Sequence, residues 1–488
     1  MPTSVSRVVT ASRVAEVVGT LTRPAYASLA DALRLAIGDG RIPVDVRLPS
    51  ERELCERLGV SRTTATRAYA LLTEQGYAAA RRGAGTFTRI PGGRARTLDR
   101  ALTTRVGDDL AVDLNCAASS APPGLAAAYQ AAVADLPAYL SGHGYYPAGL
   151  PELQRLLAEG YTQRGLPTAA GQMIVTPGAQ TATAIAARAL VRPGDRVLVE
   201  VPGYPNAAAA FAGAGARLSP VPVGPQGWDL DLLESTARRL RPKVAYLVPD
   251  FHNPTGQLMS EEQRARAARA LADARTVVVV DESHQQLALA DRQMPRPLAA
   301  HVAAAGGTAL TVGAASKVLW GGLRMGWTRV DPDLAEAFTR ARLTLDLGTP
   351  VLEQLALVHL LGDLAPTLAF HRERLREQRD ALADALREQL PDWDFELPQG
   401  GLALWCRLPT PNAAALTEEA ERRGLAVAAG PVFAPQGGLA AWVRVPYTRP
   451  VGELRRAVEI LAEAWPIVRG EGLDATSTAR RRVRSIVA

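Results

Sequence analysis

The sequence predicts a multidomain chain: a small N-terminal α+β domain, then a large α/β domain with a mainly parallel sheet, closed by a small C-terminal α+β lobe. Three observations predict this. The 488 residues exceed what one ordinary core accommodates. Short helical patterns ahead of residue 90 end in a β-type stretch and a run of turn residues. From Val112 onward, apolar β-rich runs alternate with Ala/Leu/Arg helical patterns, as parallel strands covered by helices require.

The composition, 47% hydrophobic and 21% charged, is that of a water-soluble globular protein, and no apolar run reaches the roughly 20 residues of a bilayer span. The first twenty residues carry Arg and Glu among their apolar positions and have no secretory signal core, so cytoplasmic residence is expected. Cys55, Cys116 and Cys406 have neither the even number of a disulfide framework nor metal-ligand spacing; they read as small core residues, and no metal is expected. A net charge of +6 permits nucleic-acid binding. The cations are almost all arginine, since Lys243 and Lys317 are the only lysines. Chemistry that needs a free amine must therefore use one of these two or the N-terminus.

The first domain is expected over residues 22–90. Leu29 to Ile37 reads as a helix that Gly38-Asp39-Gly40 breaks. Ser50 then caps the next helix, with Glu53 completing a capping box, and Gly59 closes it. Ser61 caps a third helix whose early turns carry Arg62, Thr63, Thr64, Thr66 and Arg67, short polar side chains and cations suited to base edges and phosphates. Gly76-Tyr77 leads into a hairpin whose tip, Arg81 to Thr86, is cationic and suited to a groove. These residues resemble the winged helix-turn-helix of the GntR regulator superfamily, through Leu48-Pro49-Ser50-Glu51-Arg52, Ser61-Arg62-Thr63-Thr64 and Gly83-Ala84-Gly85-Thr86-Phe87. The resemblance implies double-stranded DNA as partner. It makes Arg47, Ser50, Arg52, Ser61, Arg62, Thr64 and Arg67 the candidate DNA contacts, with Gly83 and Gly85 shaping the wing. Residues 91–111 read as a linker, 112–468 as the large domain and 469–488 as a basic frayed tail.

In the large domain, Met173 to Val175, Arg196 to Val199, Val244 to Val248, Thr276 to Val280 and Ala309 to Val312 read as strands, and a smaller α+β lobe is expected from about Pro391. Lys317 follows the last of these strands, where burial would lower its pKa, and Arg324 follows seven residues later as a cation for a phosphate. Lys243 stands in a polar loop and reads as solvated. Asp281 ends a fully apolar strand, where a carboxylate needs a cationic partner. Thr176-Pro177-Gly178-Ala179-Gln180 opens a helix whose N–H groups suit a phosphate. Asn253 offers an amide, and Tyr204 an aromatic face.

In this order and spacing the residues resemble the fold-type I pyridoxal-phosphate enzymes, the aspartate aminotransferase-like group, over most of residues 112–468. The resemblance implies pyridoxal 5'-phosphate as cofactor. It assigns the internal aldimine to Lys317, the pyridine nitrogen to Asp281, the phenolic oxygen to Asn253 and ring stacking to Tyr204. Arg324, Ser316, Gly178, Ala179 and Gln180 fall to the phosphate, and Arg444 to a substrate carboxylate. Tyr145 lies in the segment that reaches a neighbouring subunit's phosphate, which implies a homodimer. Two positions depart from the pattern: His284 stands where Tyr is common, and Ala314 where Ser or Thr is common. A GntR-type head on an aminotransferase-like body is the layout of the MocR/GabR regulators. The expectation is a transcription regulator sensing the cofactor, or an amino-acid or amine effector, through Lys317; domain exchange between subunits would have to be spanned by residues 91–111. Two alternatives stand beside it: an active aminotransferase with an accessory DNA-binding domain, and a regulator whose large domain has lost the cofactor and serves only for dimerisation.

Overall fold

The computed structural model describes residues 8–38, 41–42, 46–81, 83–89 and 112–470. The expected linker at 91–111, residues 471–488 of the expected tail, and Arg82 of the wing tip lie outside the described residues.

The head begins with a helix that sequence patterns did not announce, α1 (Ala11–Val18), capped by the Thr10 hydroxyl and burying Val14 and Val18. Eight residues interrupted by Arg13 and Glu16 are too few to display a helical period. α2 (Ala25–Gly38) starts four residues before the expected Leu29. α3 (Glu51–Leu58) has the anticipated capping box: Glu53 N donates to Ser50 Oγ at 3.3 Å, and Ser50 N donates to Glu53 Oε2 at 2.7 Å. Gly59 ends α3 in the left-handed conformation, φ 65°. α4 (Arg62–Glu74) is capped by Ser61, which accepts from Thr64 N at 3.1 Å. The three apolar faces meet in a core of Leu29, Leu33, Ile37, Leu54, Ala65 and Leu72. The wing pairs β1 (Ala78–Arg81) with β2 (Gly85–Thr88) antiparallel, and residues 46–48 extend it as Leu48 N donates to Thr86 O and Thr88 N to Val46 O.

A short strand, β3 (Val112–Asp113), opens the large domain. The main sheet contains β4 (Met173–Thr176), β5 (Arg196–Val201), β6 (Arg217–Gly224), β7 (Gly227–Trp228), β8 (Val244–Leu247), β9 (Val277–Asp281), β10 (Ala309–Ala314) and β11 (Gly326–Val330). Their order is β4-β11-β10-β9-β8-β5-β6-β7. The pairings from β10 through β9, β8 and β5 to β6 are parallel; β11 runs antiparallel to both neighbours, and β7 turns back on β6. Helices cover both faces, giving one apolar layer around Val175, Leu198 and Leu247 and another around Ile185, Phe211 and Phe338. The C-terminal lobe is a three-stranded sheet of β12 (Ala403–Arg407), β14 (Ala428–Ala429) and β15 (Trp442–Pro446), with β13 (Leu425–Ala426) pairing to β3 in parallel. Its last helix, Val451–Gly470, extends two residues into the stretch expected as tail. Among the described residues no single helix is long and apolar enough to cross a membrane.

Candidate functional site

Ligands of open α/β sheets bind at the carboxyl ends of parallel strands, and the register brings the expected residues there. Asp281, the last residue of β9, pairs with Val312 of β10, five positions before Lys317. β11 starts at Gly326, opposite both Ala314 and Thr176, so Arg324 is delivered beside the turn that follows β4. Close approach is possible because Gly326 has no side chain: a Cβ there would lie 2.5 Å from the Gly178 carbonyl carbon.

Lys317 is buried, 7% exposed, and its Nζ donates to the Ala117 carbonyl at 3.0 Å. Burial, with the Arg444 and Arg324 cations nearby, pushes its ammonium down to about 8, although Cys116 and Asp281 oppose the shift. Lys243 is exposed, as expected. Asp281 Oδ1 accepts from Ser283 N at 2.8 Å, and Oδ2 accepts from the Tyr246 hydroxyl. His284 is buried with Nδ1 2.9 Å from the Phe251 carbonyl oxygen, so Nδ1 carries the proton. Burial and the Lys317 ammonium push it down to about 4, and the ring is neutral at physiological pH.

Arg444 is fully buried on β15, donating to Asn253 Oδ1 at 3.3 Å and to the Asn115 carbonyl at 2.6 Å. Its Nε has no hydrogen-bond partner, and burial lowers its pKa to about 10. Because Asn253 Oδ1 faces a guanidinium, its Nδ2 is left to donate elsewhere.

A second group of residues lies beside Gly178. This glycine has φ 92° and leads into the helix Ala179–Leu190 without any side-chain cap, so the N–H groups of the first turn are available to an anion. Arg324 donates from Nη2 to the Pro177 carbonyl at 3.2 Å, and a Cβ on Gly178 would come within 2.9 Å of that nitrogen. Gln180 donates to the Asn206 carbonyl, and its Oε1 is buried without a partner. Ser316 is half-buried next to Lys317. Tyr204 is half-buried and accepts at its hydroxyl from Asn206 Nδ2 at 3.0 Å. Burial raises its pKa to about 12, with Asp281, Arg444 and Arg324 close enough to act on it. Tyr145 stands apart from this group, 58% exposed and stacked on His143.

Two of the cysteines are core residues as expected: Cys406 is buried, and Cys55 is half-buried against the core of the head. Cys116 departs from that reading, since it is half-buried and close enough to Lys317 and Arg444 to act on both electrostatically. Sequence reasoning missed Tyr246, Asn115 and Ala117. The last two act through backbone carbonyls, which leave no mark on side-chain identity.

On the head, Ser61, Arg62, Arg67, Arg47, Ser50 and Arg52 are all exposed, while Thr64 is half-buried and bonded to the Ser61 hydroxyl at 2.8 Å. Thr63 and Thr66 share the exposed face, Thr66 donating to Glu51 at 2.7 Å. Arg67 lies 4.2 Å over the Tyr26 ring, which restrains it without neutralising it. Gly83 and Gly85 have φ 75° and 104°, and the Arg47 side chain occupies the space a Cβ on Gly85 would need.

Residues 25–88 match the bacterial regulatory proteins of the gntR family, and residues 126–461 match aminotransferase class I and II. The chain is 32% identical over 267 residues to the 2-aminoadipate transaminase of Thermus thermophilus, covering 54% of this chain and 67% of that one. It is 29% identical over 406 residues to the probable rhizopine catabolism regulatory protein MocR of Rhizobium meliloti, covering 76% and 78%. Among solved structures, LysN, an alpha-aminoadipate aminotransferase of Thermus thermophilus complexed with N-(5'-phosphopyridoxyl)-L-leucine, superposes with a TM-score of 0.67 at 29% identity, covering 73% of this chain and 93% of that one. The chain belongs to the aminotransferase class I and II family and carries a gntR-family DNA-binding head at its N-terminus.

Proposed function

We propose that this protein is a DNA-binding transcription regulator that holds pyridoxal 5'-phosphate in its large domain and senses an amino acid or amine there. The observation that carries the reading is one chain with a correctly capped, solvent-facing recognition helix and a single buried amine at the carboxyl ends of an aminotransferase sheet.

The residues present fit the cofactor. The uncapped helix start at Gly178, with the Arg324 guanidinium across it, is a cradle for a phosphate dianion, and a side chain at 178 would fill it. Ala179 and Gln180 open the helix at that cradle, and the resemblance assigns Ser316 to the same phosphate. Asp281 supplies a fixed carboxylate for a ring nitrogen, Asn253 Nδ2 a donor for a phenolic oxygen, and Tyr204 a face for the ring. When bound, the cofactor supplies an aldehyde carbon that bonds reversibly to amines and a ring that withdraws electrons from it.

Lys317 is the amine that holds it, and burial keeps a usable fraction unprotonated near neutral pH. Arg444 holds an incoming carboxylate, for which its unpartnered Nε is a donor. His284, neutral with Nδ1 bound to a carbonyl, contributes an acceptor where a tyrosine would contribute a donor. An effector that engages Lys317 and Arg444 differently in two arrangements of the domains shifts their populations and hence DNA binding.

The same reading makes the protein a cytoplasmic homodimer. Tyr145, Leu343, Leu345 and Leu347 are exposed on two segments that touch where Gly348 passes Tyr146, and a second copy is a cover that suits these apolar side chains. Tyr145 is then available to the partner's site.

The test is the visible absorption of the purified protein and of Lys317→Ala, before and after borohydride. A band trapped by borohydride in the wild type alone supports the reading; its absence after added cofactor overturns it. A second reading, a working aminotransferase, is favoured by the undiminished set of Lys317, Asp281, Asn253 and Arg444. Release of an oxo acid from an added amino acid over many turnovers would establish it; a stoichiometric spectral change alone would favour sensing.

A further inference from the structure

We propose that Tyr246 is the positioning residue for Asp281, orienting the carboxylate that faces the cofactor's ring nitrogen and stabilising its negative charge. The inference rests on the cofactor reading above and assigns a role to a residue outside the expected site.

Tyr246 lies in the middle of β8, 2% exposed. β8 and β9 run parallel with Tyr246 opposite Val279. Side chains alternate along a strand, so Tyr246, Val279 and Asp281 share a face. The tyrosine hydroxyl, carried forward by the length of its ring, meets Asp281 Oδ2. Its ring is held edge-on to Phe211, with centroids 5.9 Å apart at 62°.

The other carboxylate oxygen is fixed independently, since Oδ1 accepts from Ser283 N at 2.8 Å. With one donor on each oxygen the carboxylate cannot rotate. A carboxylate has about four acceptor positions, so capacity for a cationic N–H remains. Burial and the Asp281 charge raise the Tyr246 hydroxyl well above its ordinary range, so it keeps its proton and acts only as a donor. Tyr204 and Glu200 add to that shift.

A phenylalanine would fill the same space between apolar strands at no desolvation cost. The hydroxyl therefore has a partner-specific role, and that partner is the acid at the ring nitrogen. Removing it leaves Oδ2 buried without its donor, so the carboxylate is less well aimed at a protonated ring and, being more basic, draws the ring's proton toward itself.

The test compares wild type, Tyr246→Phe, Asp281→Asn and the double variant in the full-length chain, with Tyr246→Met as a second hydroxyl-free form should the phenylalanine variant fold poorly. Three quantities are read: the dissociation constant of pyridoxal 5'-phosphate by absorbance titration, the pH midpoint of the bound cofactor's visible band, and urea stability without cofactor. Tyr246→Phe should bind the cofactor about tenfold more weakly, equivalent to ~1.4 kcal/mol, and move the midpoint by roughly one pH unit. In the Asp281→Asn background the same change should alter affinity by less than about twofold.

Unchanged affinity and midpoint in Tyr246→Phe would overturn the inference. So would an equal loss in both backgrounds, which would make the tyrosine a packing residue only. A wild type that shows no borohydride-trapped band would instead remove the cofactor reading and this inference together.

Discussion

Lys317 is a functional group that the fold holds at a cost, and replacing it should make the cofactor-free protein more stable. Its ammonium falls from 10.5 to about 8 in a site 7% exposed to solvent. That depression destabilises the folded state by about 3 kcal/mol at pH 7, because each pH unit corresponds to about 1.36 kcal/mol. Lys317→Met removes the buried charge at similar volume and gives up the hydrogen bond to the Ala117 carbonyl, worth about 1 kcal/mol. The net expectation is a gain of about 2 kcal/mol. The sign with pH is defined. Below 8 the lysine is protonated in both states and the whole penalty is present. Between 8 and 10.5 the folded state has released its proton while the unfolded chain retains it, so wild-type stability rises with pH. The advantage of Lys317→Met must therefore shrink over that interval and vanish near its upper end. Urea unfolding of both proteins without cofactor, followed by tryptophan fluorescence at pH 7, 9 and 10, measures this. A variant no more stable than wild type at pH 7, or an advantage that stays constant to pH 10, would refute the reasoning.

Three further outcomes are expected. Gly178→Ala must adopt φ 92° and displace the Arg324 guanidinium; the strain of about 1–2 kcal/mol should weaken cofactor binding by about tenfold in a spectral titration, with DNA binding by the cofactor-free protein unchanged. Arg67→Ala should weaken DNA binding and lower the salt slope by about 1 for each head engaged, as read by fluorescence anisotropy at several salt concentrations. Arg264→Met leaves Asp250, 1% exposed, without the ion pair it now makes at 2.6 Å; a loss of about 3–5 kcal/mol is expected in urea unfolding, and a loss below about 1 kcal/mol would mean that water reaches Asp250.

The chemistry-bearing residues were legible because each sits where a strand ends, and a strand end is marked by local sequence. Four apolar residues run into Asp281, and Ala309 to Ala314 precede Lys317 by a short turn. The capping box at Ser50 was legible for the same reason, since its two partners are three residues apart. β6 was not expected, because Pro220 and Pro222 argue against a strand interior. Its position resolves this: β7 pairs with it only at Val223 and Gly224, so both prolines lie where no neighbour on that side needs an N–H. β11 also escaped, since five residues of mixed polarity running antiparallel within the sheet have no distinct period.

What could not be read were the contacts that hold the site residues in place. Tyr246 meets Asp281 across 35 positions of sequence, Asn115 meets Arg444 across 329, and Ala117 meets Lys317 across 200. Each depends on strand order, and strand order is settled by which apolar faces the helices cover, a property of the whole domain. Local sequence could therefore identify the reacting groups but not the groups that set their charge and orientation. It follows that substitutions at Tyr246 or in the Asn115 to Ala117 segment should alter cofactor handling as much as many substitutions within the expected site. The mismatch lies in sequence distance, since in space these residues touch the groups they control.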